Sequence, residues 1–155
     1  MNEVKPPKDY KWYPEDMPRV FLAGSIEMGT AENWQARVAK ELEEYNIVLL
    51  NPRRDNWDAS WKQTLDSPKF VEQVNWELDG QERADYILMY FDPNTKAPIT
   101  LMELGLFADK EALVIVCCPD GFWRKGNVQI VCERNGISCH NTFEEMMAEI
   151  KTELD

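Results

Sequence analysis

The chain of 155 residues is 44% hydrophobic, enough for one ordinary globular domain with a full core. Its formal net charge of −11 repels phosphate backbones and argues against nucleic-acid binding, though not against a small neutral ligand containing a base. No apolar run approaches the ~18 residues of a membrane span, and the N-terminus is polar and proline-containing, so a cytoplasmic protein is expected. Residues 1–18 hold Pro6, Pro7, Pro14 and Pro18 with Tyr10, Trp12 and Tyr13, which predicts an irregular arm that packs on something. Residues 20–23 read as a strand ended by Gly24 and Ser25. Thr30 then caps a helix over 31–45, with Trp34, Val38, Leu42 and Tyr45 on one stripe.

A second strand over 47–50 leads into a long polar and aromatic loop, 51–66, of a length that is usually functional. Ser67 and Pro68 open a helix to about residue 84. A strand over 86–91, a helix over 99–110 and a strand over 113–117 follow. The remainder predicts a helix over 127–134, a short strand at 137–138 and a final helix over 142–154. Strands alternating with helices at these lengths imply an α/β fold with right-handed crossovers. The expected architecture is a flavodoxin-like three-layer sandwich on a five-stranded parallel sheet of order 2-1-3-4-5, one domain over 19–155 preceded by the arm. Such a sheet places its ligand crevice at the C-terminal ends of the first and third strands.

The residue inventory narrows the chemistry. Cys117, Cys118, Cys132 and Cys139 show no CxxC spacing, so neither a disulfide framework nor a zinc site is indicated. The single histidine, His140, precedes a helix start and reads as a turn or capping residue. Carboxylates must therefore carry any catalysis. The crevice would be lined by Gly24, Ser25 and Ile26 after the first strand and by Asp92 after the third. Gly24 serves either the tight strand-to-helix turn or a close approach to ligand. Asp92-Pro93-Asn94 is a turn sequence that also lies at the functional end of the sheet.

Two glutamates stand out. Glu103 falls in the expected first turn of a helix that is apolar almost all round. There it is either a carboxylate kept ionised by the helix dipole or, with Thr100, half of a capping box. Glu77 falls within the stripe of Phe70, Val71, Val74 and Leu78, whereas Glu72, Asp79 and Glu82 point towards water. A carboxylate on a buried face is costly unless paired or used. Arg53 or Arg54 could neutralise it, or it faces Glu103 across the crevice. Asn51, Arg53, Asp55, Trp57 and Trp61 border that crevice; the two rings either cover the core edge or stack a flat ligand such as a nucleobase.

The segments Val20-Phe21-Leu22-Ala23-Gly24-Ser25, Asn75-Trp76-Glu77 through Ala84-Asp85-Tyr86-Ile87-Leu88, and Met102-Glu103-Leu104-Gly105 resemble the nucleoside 2-deoxyribosyltransferase family and its relatives. Those relatives include deoxynucleotide N-glycoside hydrolases. The resemblance covers residues 20–118 in matching order, and the loop Asn51-Pro52-Arg53-Arg54-Asp55-Asn56-Trp57-Asp58 is similar to one branch of the superfamily. It implies a flavodoxin-like fold and a double displacement in which Glu103 attacks the anomeric carbon of a 2-deoxyribosyl group. Another base, or water, then releases the sugar. The family's second acid, an aspartate in its best-known members, falls on Glu77. A nucleoside or nucleobase partner, no metal or organic cofactor, and a homo-oligomer with sites near subunit interfaces are implied as well.

The chain departs from the pattern at three points. Phe21 stands where transferases often have a tyrosine, and Ala97 and Ile99 stand where they have an aspartate and a glycine. Asp92 is the candidate replacement for that aspartate. The acidic balance and the absence of a basic cluster argue against a 5′-phosphate on the substrate, although Arg53 and Arg54 could supply its partners. The physical chemistry agrees with the resemblance: paired carboxylates about 5 Å apart do comparable work in retaining glycosidases. An ionised Glu103 and a Glu77 of raised pKa would divide the roles of nucleophile and acid. The alternatives are an N-glycoside hydrolase using the same carboxylates and a non-catalytic nucleotide-sensing module.

Overall fold

The computed structural model describes residues 1–26, 32–55 and 60–155. In chain order these form β1 (Asn2–Val4), β2 (Arg19–Gly24), α1 (Trp34–Glu41), β3 (Val48–Leu50), α2 (Pro68–Arg83), β4 (Tyr86–Tyr90), α3 (Pro98–Phe107), β5 (Leu113–Cys117), α4 (Lys125–Arg134), β6 (Ser138–His140) and α5 (Phe143–Leu154). All strands pair in parallel in one six-stranded sheet of order β1-β3-β2-β4-β5-β6. Without β1 this is the expected flavodoxin-like order.

The extra edge strand comes from the arm. Asn2 pairs with Val48 and Val4 with Leu50, so the arm is not irregular throughout. Only Val4 of those three residues is buried, which leaves no alternation long enough to read from sequence. The rest of the arm packs on its own chain. The Arg19 guanidinium donates to the carbonyls of Tyr13, Pro14 and Met17. Tyr10 sits edge-on to Trp76 at 5.8 Å, and Trp76 Nε1 donates to the Lys8 carbonyl at 2.9 Å.

Alternation along the central strands builds two cores. Phe21, Ile87, Met89 and Val116 point to one face, where Trp76 of α2, Leu104 and Phe107 of α3 and Val128 of α4 cover them. Val20, Leu22, Leu88 and Ile115 point to the other, under Trp34 and Val38 of α1 and Met146 and Ile150 of α5. Glu77 and Glu103 therefore belong to helices on the same side of the sheet.

Several helix starts move. α1 begins at Trp34, capped by Asn33, whose side chain accepts from Ala36 N at 3.3 Å; the expected cap Thr30 lies outside the described residues. α2 opens on Ser67 and Pro68 as read, although the Ser67 side chain makes no capping bond. α3 begins at Pro98, one residue early. Its N-cap Ala97 adopts the left-handed conformation (φ 45°), a strained geometry for a residue with a Cβ.

Candidate active site

The carboxyl ends of β2 and β4 are tied together by polar groups. Ser25 Oγ accepts from Asp92 N at 3.1 Å and bonds Thr95 Oγ1 at 2.8 Å. The Asp92 carboxylate accepts from Asn94 N at 2.8 Å and from Glu32 N at 3.0 Å. Ser25 and Asp92 are both buried, and both oxygens of Asp92 are engaged with backbone. Gly24 serves neither a left-handed turn nor an open approach. A Cβ there would lie 2.6 Å from the Trp34 ring and from the Tyr90 carbonyl oxygen, so glycine is required for packing. Ile26, the next residue but one, is half-buried.

The loop after β3 is likewise committed to structure at several positions. Asn51 Nδ2 donates to Glu3 and its Oδ1 accepts from Arg53 N, both at 3.0 Å, while its own N–H donates to the Val4 carbonyl. Asp55 is exposed and pairs with Lys5 at 3.0 Å. Arg53 is half-buried. Arg54 does not neutralise Glu77: its buried guanidinium pairs with Glu72 at 2.9 Å and lies 5.2 Å from the Trp61 ring centroid. Glu72 is thus more than a solvated face. Trp61 is half-buried, and Trp57 lies outside the described residues.

α2 faces the sheet along a line that hydropathy does not mark. Its buried residues are Gln73, Trp76, Gly80 and Gln81, whereas Phe70, Val71, Val74, Glu77 and Leu78 are half-buried. Gly80 lets the Phe21 ring come within 2.8 Å of where a Cβ would stand, which draws α2 close to β2. Glu77 flanks this line, and Gln81 follows it by one turn.

Glu103 is the sixth residue of α3 and not part of its first turn. The capping-box reading therefore fails, since Thr100 lies inside the helix and Ala97 caps it without a side-chain bond. The dipole argument for an ionised Glu103 fails for the same reason, because that field acts within the first turn. Burial governs it instead. Glu103 is 6% exposed, and desolvation raises its pKa to about 7, opposed by a hydrogen bond from Gln81. Glu77 is raised further, to about 8, first by desolvation and then by the charge of Glu103, opposed by a hydrogen bond with Gln73. The two carboxyls are thus electrostatic neighbours, both with raised proton affinity, and ionisation of Glu103 makes that of Glu77 harder.

Gln81 Nε2 bridges the two helices, donating to Glu103 Oε2 at 2.5 Å and to the Glu77 main-chain carbonyl, not its carboxyl, at 3.3 Å. Sequence reasoning missed Gln81 and Gln73. The available signal was Gln81 lying four residues after Glu77 and hence on the same helix face. Phe21, which stands at the tyrosine position of the resemblance, is buried and has no hydrogen-bonding group.

Residues 17–122 match the family model described as nucleoside 2-deoxyribosyltransferase like. The chain belongs to that family. Both glutamates of this nucleoside 2-deoxyribosyltransferase-like chain fall inside the matched region. No curated protein matches the chain. Among solved structures it is similar to a crystal structure of a conserved protein from Enterococcus faecalis V583, at 16% identity and a TM-score of 0.62. The match covers 89% of this chain and 99% of that one, and at this identity it shows the fold alone.

Other features lie away from the glutamates. A depression of about 430 Å³ is lined by Ser138, His140 and residues of α5, and another of about 510 Å³ by Tyr10, Arg83, Glu111 and their neighbours. His140 is a β6 residue bonded to Glu149 at 2.5 Å, and not a helix cap. Among the described residues no cluster of three His, Cys, Asp or Glu side chains could hold a metal ion. No described helix is long and apolar enough to cross a membrane.

Proposed function

We propose that this family member transfers a 2-deoxyribosyl group between nucleobases through a covalent ester on Glu103. The observation that supports the reading is the coupled carboxyl pair, Glu103 buried and Glu77 half-buried, lying within the family match. Near neutral pH the pair holds one proton between its two carboxyls, and in this mechanism Glu103 is the carboxylate and Glu77 the acid. A carboxylate oxygen of Glu103 attacks C1′ as the C1′–N bond breaks. The departing base nitrogen takes the bond's electron pair and is protonated by Glu77. An acceptor base then attacks C1′ of the ester, loses its proton to Glu77 and frees Glu103. Each carboxyl returns to its starting state.

The reading extends to a homo-oligomer. α3 is apolar on both sides, and Ile99, Met102 and Leu106 line its outer face at 57%, 57% and 47% exposure. A helix apolar all round is normally covered all round. A second copy of the chain is the proposed cover.

Chromatography after incubation with each deoxynucleoside and a different free base tests the activity. A new deoxynucleoside, lost in Glu103→Ala, is the expected result. Free base alone, even with excess acceptor, would make the protein an N-glycoside hydrolase on the same carboxylates. Tight nucleoside binding without cleavage at any pH would make it a sensing module.

A further inference from the structure

The side-chain amide of Gln81 spans the gap between α2 and α3. Gln81 is fully buried, and the close packing of Gly80 on Phe21 brings its turn of α2 down towards the sheet. Both N–H groups of its amide are used: one goes to Glu103 Oε2 at 2.5 Å, the other to the Glu77 main-chain carbonyl at 3.3 Å. This pattern fixes the amide's orientation. A flipped amide would set Oε1 against a main-chain carbonyl and a carboxylate, acceptor against acceptor.

The other end of the amide is different. Gln81 Oε1 is buried and meets no hydrogen-bond partner among the described residues. An amide kept only to hold two helices together would be expected to satisfy its acceptor as well, because a buried polar atom without a partner is costly. Here the donors are committed to the carboxylate side at the acceptor's expense.

We infer that Gln81 is a positioning residue, which holds the Glu103 side chain in one orientation and, by only donating to it, favours its ionised form as nucleophile. This rests on the reading of Glu103 given under the proposed function. The bond opposes the desolvation that raises the Glu103 pKa, and Glu77 is the titratable group that faces Glu103 electrostatically. Phe21, from the strand beneath, contributes neither charge nor donor.

The test follows the Gln81 side-chain NH₂ resonances and the Glu103 carboxyl carbon by NMR between pH 5 and 9. In the unsubstituted protein both should move with a common midpoint near 7. In Gln81→Met, which keeps length and loses the donor, the Glu103 midpoint should rise by about one pH unit. That change corresponds to about a tenfold loss of ionised Glu103 at pH 6. Base release at pH 6 should fall in proportion and recover at higher pH, with KM little changed. Gln81 amide resonances that ignore the Glu103 titration would overturn the inference, as would an unmoved midpoint in folded Gln81→Met. The titration of the unsubstituted protein decides the matter even if the variant does not fold. Undiminished base release by Glu103→Ala, with the amide still tracking Glu103, would instead overturn the nucleophile reading and the positioning role that rests on it.

Discussion

Glu77 on α2 and Glu103 on α3 are 26 positions apart in sequence, yet the charge of Glu103 raises the pKa of Glu77. Desolvation acts on both, so neither carboxyl behaves as a surface glutamate. The relationship has consequences for activity and for stability.

The pH profile of kcat/KM should be a narrow bell, with limbs near 7 and 8. Those limbs belong to the pair as coupled groups. In Glu77→Gln the basic limb should disappear and the acidic limb should stay near 7, because Glu77 is protonated and neutral across that limb. Initial rates measured from pH 5 to 9 check this.

Stability should fall as pH rises from about 4.5 to 8. Across that window the unfolded chain has released protons that Glu77 and Glu103 still hold when folded, so the folded state binds more. Glu77→Gln should therefore be more stable than the unsubstituted protein at pH 8.5. The gain should be roughly 1–3 kcal/mol, after allowance for solvent screening at half-buried Glu77. Urea unfolding at pH 5 and pH 8.5 measures it, and equal differences at the two values would contradict the argument.

Gly24→Ala should destabilise the fold by about 1–3 kcal/mol, since a methyl group there meets the Trp34 ring and the Tyr90 carbonyl oxygen. Ligand approach is not the reason for this glycine, so the variant should lose thermal stability first. A Tm unchanged from that of the unsubstituted protein would refute the packing account.

The outer face of α3 gives a prediction about assembly. Met102→Glu with Leu106→Glu should yield a monomer by sedimentation at micromolar concentration, while the unsubstituted chain sediments as a dimer or larger. Both residues are exposed in the single chain, so the substitutions should leave its fold intact.

Strand order was legible because the central strands alternate and are separated by helices of ordinary length. β1 was not, since three residues with one buried side chain carry no periodicity. The start of α3 is hard to read because its cap, Ala97, has no capping side chain and adopts the left-handed conformation, whereas Thr100 inside the helix looks like a cap. A helix capped at Thr100 holds Glu103 in its first turn, under the dipole; with Ala97 as the cap Glu103 lies about one turn deeper, where burial controls it. Gln73, Gly80 and Gln81 lie on the buried line of α2 but add nothing to an apolar stripe. The stripe therefore pointed to Phe70 and Val74, which are only half-buried. The roles of Arg54 and Asn51 depend on Glu72 and Glu3, partners that chain order does not reveal.

Intact-protein mass spectrometry after acid quench of the protein with a cleavable deoxynucleoside tests the central claim most directly. The account predicts a mass increase of one deoxyribosyl unit, mapped to Glu103 within residues 98–107 and absent from Glu103→Ala. Base release with no adduct, undiminished in Glu103→Ala, would contradict it.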